Sequence, residues 1–195
     1  MESPGCTAKY SFPLIETDRL RLEMFEVSDL EAAFRLFNDD KVQKYLAPQN
    51  RRNREQMQIT LQKFLARWRE RGFGLWRVSG KSTKEMLGYC GFQYLEKTLD
   101  IEIIFAFFKN FWGKGFAAEA ANASLRFGFE ELLFTKIYAA AHPDNLASRG
   151  VLQKIGMDFE ISTKHYGIEV VTYSISHSVF SPAEELYKLT YQNFV

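Results

Sequence analysis

The sequence predicts an α+β domain, with antiparallel strands beside helices. Three observations lead there. Short runs of alternating apolar and polar residues recur along the chain as strands. Three such runs follow one another between residues 73 and 108 with only turns between them, which favours antiparallel neighbours. Several other segments carry apolar residues at helical spacing, bounded by recognisable start and stop residues.

The elements follow in order. Residues 1 to 12 read as an irregular arm, and "RLRLEMF" from Arg19 alternates as a half-buried strand. In "SDLEAAFRLFN", Ser28 and Glu31 have capping-box spacing, and Leu30, Ala33, Phe34 and Phe37 share a helical face. "APQNRRN" reads as a loop. The next helix carries Met57, Leu61, Phe64, Leu65 and Trp68 as a core-facing stripe, and Gly72 is its stop. Strands are expected near 73–79, 86–95 and 99–108, then a helix over 115–132, a strand at 136–142, and a helix from Asn145 to Gly156. Two strands near 157–162 and 170–176 close the domain, taken as residues 13–180. Ser181-Pro182-Ala183-Glu184 predicts a short helix in the tail, 181–195.

Composition bounds the function. The chain has 195 residues, 46% of them hydrophobic, enough for a single domain with a real core. A formal charge of +1 gives no global field for nucleic acid or a membrane surface, so neither partner is expected. No apolar run is long enough to span a bilayer, and the N-terminus lacks the basic start and apolar core of a signal peptide. The expected location is the cytoplasm, with Cys6 and Cys90 as unpaired thiols. His142, His165 and His177 have no metal-ligand spacing, so no metal is expected. The 18 phenylalanines and the tail "AEELYKLTYQNFV" offer surface for a homodimer contact.

The stretch "KNFWGKGFAAEA" carries the chemistry. A strand leads into a Gly-rich turn and then a helix. The first helical turn has amides without intrahelical partners and a partial positive charge. Gly113 and Gly115 let that backbone approach a ligand closely. The amides of Gly113, Lys114, Gly115, Phe116 and Ala117 thus suit an anion, although a plain tight turn explains the glycines alone equally well. The Gly-Lys-Ser/Thr ending of a Walker loop is absent, and so is the full dinucleotide-binding spacing.

The constellation is more specific than its parts. Glu102, "WGKGFAAEA", "NLAS" and "LQKIG" in this order, after the opening "TDRLRL", resemble the GNAT acetyltransferase superfamily, and within it the RimJ/RimL-like branch of ribosomal-protein N-terminal acetyltransferases. The resemblance covers about residues 15 to 176. It implies the GNAT acyl-CoA N-acyltransferase fold, a mixed, mostly antiparallel sheet with two central strands splayed apart. It also implies acetyl-CoA as donor, with the diphosphate on the amides of Trp112 to Ala117 and the pantetheine arm along the backbone of Ile103 and Ile104. Glu102 would act as base on the acceptor amine, directly or through water. A bulge at Ile103 or Ile104 would free an amide for the thioester oxygen. Ser148 would donate to the departing thiolate, and Asn145 would cap its helix and touch the cofactor arm. Lys154 is a second candidate for phosphate contact.

The acceptor stays open between a protein N-terminus and a small amine. Its groove is expected from "YLAPQNRRN" and the last hairpin, with Glu169 a candidate amine contact. Arg51, Arg52 and Arg54 suit an acidic acceptor or a solvated loop. The alternative function is a non-catalytic acyl-CoA sensor or scaffold. Two departures stand out: Gly150 lies inside a helix, and the hairpin "TKHYGIEV" is short.

Overall fold

The strands join one sheet. The computed structural model describes residues 10–46, 51–184 and 186–194. The strands are β1 (Tyr10–Glu16), β2 (Leu20–Glu23), β3 (Leu75–Gly80), β4 (Met86–Tyr94) and β5 (Ile101–Phe107), followed by β6 (Lys136–Ala141), β7 (Asp158–His165), β8 (Ile168–Ser176) and β9 (Lys188–Phe194). The helices are α1 (Leu30–Asn38), α2 (Asp40–Gln43), α3 (Arg54–Arg71), α4 (Phe116–Glu130) and α5 (Leu146–Lys154). The sheet order is β7-β8-β6-β5-β4-β3-β2-β1-β9. Burial alternates along β2 and β6 and is nearly continuous along the central β3 and β4.

All pairings are antiparallel except β5 with β6, which α4 connects as a crossover. That pairing covers only Ile101↔Ile137 and Glu102↔Tyr138. Beyond Glu102 the two strands separate, which is the splay the resemblance implied. The register of β5 on β4 is continuous from Ile101 to Phe107. The expected bulge at Ile103 or Ile104 is therefore absent; the departure of β6, not a bulge, opens the backbone edge of β5.

The sheet is covered on both faces. One core cluster gathers Ala120, Ala121, Leu125 and Phe129 of α4 with Trp76, Phe92 and Ile137. The other gathers Leu36 of α1 and Met57, Leu61 and Phe64 of α3 with Leu75 and Tyr89. The α3 stripe is core, as its spacing predicts: Met57, Leu61 and Phe64 are buried in the second cluster, and Trp68 is buried in the first with Leu65 partly buried beside it. Gly72 ends the helix at φ 73°.

Three further expectations fail. Residues 10–12 are not part of an irregular arm but the start of β1, and the tail is not helical but forms β9. The two pair antiparallel along their whole length, Tyr10↔Phe194 to Glu16↔Lys188. Covering the open edge of β1 overrides the local start signal at Ser181. The first helical segment is capped two residues earlier than expected, at Glu26 rather than Ser28. Its capping box joins Glu26 and Asp29, ahead of a 3-10 turn over Val27–Asp29, while Ser28 donates only to Glu26. Residues 1–9, with Cys6, and residues 47–50 of the expected acceptor loop lie outside the described residues.

Candidate active site

The separation of β5 from β6 opens a cleft of about 400 Å³. Ile103, Ile104 and Phe105 form one lip, and Ala139, Ala140 and Ala141 the other. The alanines keep the gap wide, and β5 there presents backbone with no strand partner on its β6 side. An extended arm could pair with such an edge as an added strand does.

Glu102 lies where the strands part and is 1% exposed. Gln93, its register partner on β4, donates to Oε2 at 2.9 Å. Tyr166 donates to the same oxygen at 2.5 Å, and Gln93 also reaches the Tyr166 hydroxyl at 3.1 Å. Burial pushes the carboxyl above the usual range, while the bonds from Gln93, Tyr166 and the Ala140 backbone pull it back. The result is a buried carboxylate that binds its proton more readily than a surface one.

Tyr166 was not singled out for this contact by the sequence. It sits with Gly167 in the two-residue loop that closes His165↔Ile168. Both residues have positive φ, 56° and 79°, as a type I′ turn requires. A tyrosine pays for that conformation, and its backbone N–H is held by Glu96. The short hairpin thus delivers a hydroxyl to Glu102. Glu169 does not join it: the residue is exposed and absent from the cleft lining, because alternation along β8 turns its neighbours Ile168 and Val170 inward instead.

Asn145 and Ser148 line the far end of the cleft. Asn145 is the N-cap of α5, its Oδ1 accepting from the Ser148 amide at 3.1 Å. That fixes the turn on which both polar side chains sit.

The glycine loop lies beyond the other end of β5, outside the cleft lining. Trp112 is pinned back by its indole N–H, 2.6 Å from the Phe107 carbonyl. Gly113 and Gly115 have φ of 72° and 82°. Gly115 is the N-cap of α4 and has no side chain to satisfy the first-turn amides of Phe116 and Ala117. Those donors suit a diphosphate. The Lys114 ammonium rests over the Phe111 ring at 5.7 Å, and the Lys114 carbonyl accepts from Arg19 at 2.9 Å. Lys154 is exposed on α5. Among the described residues, no group of three or more His, Cys, Asp or Glu side chains could hold a metal.

Arg19 and Glu119 explain two motif positions that carried no assigned role. Glu119, 4% exposed, accepts from the Thr17 hydroxyl at 2.6 Å and from the Arg19 amide at 3.0 Å. The Arg19 guanidinium closes on its Oε2 at 2.6 and 2.7 Å, and covers the Phe116 ring at 4.5 Å. The β1–β2 turn is thereby locked to the glycine loop. The clamp also neutralises a carboxylate that would otherwise repel an anion at the α4 N-terminus.

A nine-stranded sheet that splays beyond a buried carboxylate, with a glycine-led helix start nearby, defines an acyl-CoA-dependent acyltransferase architecture. The comparisons specify it: the acetyltransferase (GNAT) domain family matches residues 19–158, and the chain belongs to that family. YkkB of Bacillus subtilis is 36% identical over 80% of this chain and 92% of its own. The N-acetyltransferase YoaA of the same organism is 34% identical over 80% and 88%. A solved GNAT-family acetyltransferase from Bacillus anthracis, 27% identical, superposes with a TM-score of 0.74 over 85% of this chain and 99% of that one. RimL, a ribosomal-protein α-N-acetyltransferase solved with coenzyme A (19% identical, TM-score 0.68, covering 83% and 98%), shares the fold. So does spermidine N-acetyltransferase from Vibrio cholerae, solved with coenzyme A and spermine (18%, TM-score 0.68, 82% and 96%). The protein is an acetyl-CoA-dependent acyltransferase.

Proposed function

We propose that the protein transfers acetyl from acetyl-CoA to a primary amine by direct attack, with Glu102 as the base. The observation that carries this reading is the buried Glu102 carboxylate at the point where β5 and β6 part. Acetyl-CoA supplies the acetyl group as an activated thioester. The amides of Gly113, Lys114, Gly115, Phe116 and Ala117 seat its diphosphate, and the free edge at Ile103 and Ile104 holds the pantetheine arm; the Trp112 amide, expected among the donors, instead donates to the Lys109 carbonyl at 3.1 Å. That edge also supplies the N–H donor for the thioester oxygen.

The attacking nitrogen must be neutral. Glu102 accepts its proton directly or through one water, and Tyr166 and Gln93 hold the carboxylate in place. An α-amine, with a pKa near 7.7–8.0, needs only such a modest base. Ser148 donates to the departing thiolate from the capped turn of α5, where Asn145 orients it. The acceptor enters over α3 and the β7–β8 hairpin. A protein N-terminus, as in the RimJ/RimL-like branch, and a small amine both fit this scheme.

A thiol-release assay with acetyl-CoA against N-terminal peptides and small amines tests the proposal. Amine-dependent thiol release that Glu102→Gln lowers by about 10²-fold supports it. Amine-dependent release unchanged in Glu102→Gln removes Glu102 from the reaction.

A further inference from the structure

The acceptor side of the cleft carries a concentration of positive charge that the chemistry above does not use. Arg52, Lys63 and Arg67 all line it, and among the described residues Glu102 is the one acidic side chain in the lining. The whole chain has a formal charge of only +1, so this is a local feature. Lys63, Arg67 and Arg71 stand at i, i+4 and i+8 on α3, one like-charge stripe along a single helix face. Such spacing destabilises a helix in isolation. Desolvation and the charge of Arg71 both push the Arg67 guanidinium below its ordinary range.

Local partners do not relieve the stripe. Arg71 is occupied, stacked 4.9 Å from the Tyr94 ring. Among the described residues, Lys63 and Arg67 make no hydrogen bond or ion pair. The nearby Arg51 and Arg54 differ, being held by Asp40 and Glu31 at the surface. A half-buried guanidinium facing a cleft without a counter-ion is an electrostatic cost that an anionic ligand repays.

We propose that Arg67, with Lys63, binds a carboxylate on the acceptor, so that the substrate class is a primary amine that also bears an acidic group. This inference rests on the acetyl-transfer reading. The amine end lies at Glu102 and the acidic end against α3, so the cleft reads both charges of one molecule. A polyamine, cationic at both ends, is repelled by the same wall. Free amino acids and acidic peptide N-termini share this chemistry.

The test compares acetylation of glycine, β-alanine, 4-aminobutyrate and 5-aminopentanoate with that of their carboxamides, the chain length reading the amine-to-anion span. A parallel arm uses a peptide amide beginning Ala-Glu-Asp against one beginning Ala-Gln-Asn, and putrescine serves as the cationic control. At least one acid should exceed its neutral counterpart by about tenfold or more in kcat/KM. Arg67→Gln should abolish that preference through KM, with KM for acetyl-CoA unchanged, and Arg67→Lys should restore part of it. The arm showing the preference identifies the source.

A turnover-independent readout is calorimetry of the coenzyme A complex with 4-acetamidobutyrate and its amide. Acids and amides acetylated alike, or a preference retained in Arg67→Gln, overturn the inference and leave acetyl transfer standing. A shift in KM for acetyl-CoA in Arg67→Gln overturns it too, by assigning the cations to the donor. Binding of 4-acetamidobutyrate that Arg67→Gln removes, without turnover of any amine, supports the anion site and removes the acetyl-transfer reading. Neither turnover nor acid-selective binding overturns both.

Discussion

The hydroxyl of Tyr166 donates to Oε2 of Glu102 at 2.5 Å, across 64 residues of chain, from a loop whose backbone φ is positive. A bulky residue held in that conformation at the mouth of a cleft is backbone strain placed beside candidate chemistry. The contact stabilises the charged form of Glu102, against the burial that favours the neutral form.

The first prediction follows from that balance. The Glu102 carboxyl is raised, so kcat/KM should climb with pH through a limb lying above the usual carboxylate pKa of about 4.3. Tyr166→Phe removes a bond to the carboxylate, which raises its pKa further. The limb should therefore move to higher pH, while Glu102→Gln should abolish it. Rate profiles with a fixed amine, corrected for the amine's own ionisation, check both.

The second concerns the clamp. Arg19→Ala leaves Glu119 buried without its cation, beside the amides proposed to seat the diphosphate. Stability should fall by about 1–3 kcal/mol, and KM for acetyl-CoA should rise. Glu119→Gln removes the stranded charge, so the double variant should recover part of the acetyl-CoA KM. Urea melts and donor-saturation curves measure the two effects.

The third compares two glycines. Gly113 and Gly115 share positive φ, but an added Cβ at Gly115 would come within 3.3 Å of the Arg19 guanidinium, and one at Gly113 would meet nothing within 4 Å. Each alanine should cost about 1–2 kcal/mol for conformation. Gly115→Ala should weaken coenzyme A binding more, by also displacing Arg19. Calorimetry with coenzyme A distinguishes them.

The fourth concerns Gly150. An added Cβ meets nothing within 4 Å there, and no contact within the protein requires the glycine. Gly150→Ala should stabilise the fold by about 0.5–1 kcal/mol in thermal or urea unfolding. Weakened coenzyme A binding in the same variant would assign the glycine to ligand approach.

The fifth concerns the buried thiol. Burial pushes Cys90 up to about 12, and the Ser124 hydroxyl contacts its sulfur at 3.3 Å. A thiol reagent should leave Cys90 unmodified in the folded protein and react with it after denaturation, as peptide mass spectrometry after labelling would record.

What the sequence made legible was local. The glycine loop, the Asn145 cap and the Gly72 stop each depend on a few consecutive residues, and each lies where its spacing put it. β1 and β9 were missed because each is stabilised by the other, with nearly the whole chain between them. The Tyr166–Glu102 contact and the exclusion of Glu169 from the cleft depend on strand register, and the Arg19–Glu119 clamp on the docking of α4 against the β1–β2 turn, neither of which one sequence displays. The cationic stripe on α3 was passed over in favour of the apolar stripe on the same helix. Its meaning appeared only when Lys63 and Arg67 were found in the lining of the cleft that holds Glu102.

The central claim is that the main-chain donors from Gly113 to Ala117 seat the donor's diphosphate while the parted strands hold its thiol arm above Glu102. A crystal structure of the protein with bound coenzyme A tests it most directly. The account predicts the diphosphate on the amides of the Gly113–Ala117 turn and the pantetheine chain along Ile103 and Ile104, between β5 and β6. Coenzyme A bound elsewhere, with that turn bare, would contradict it.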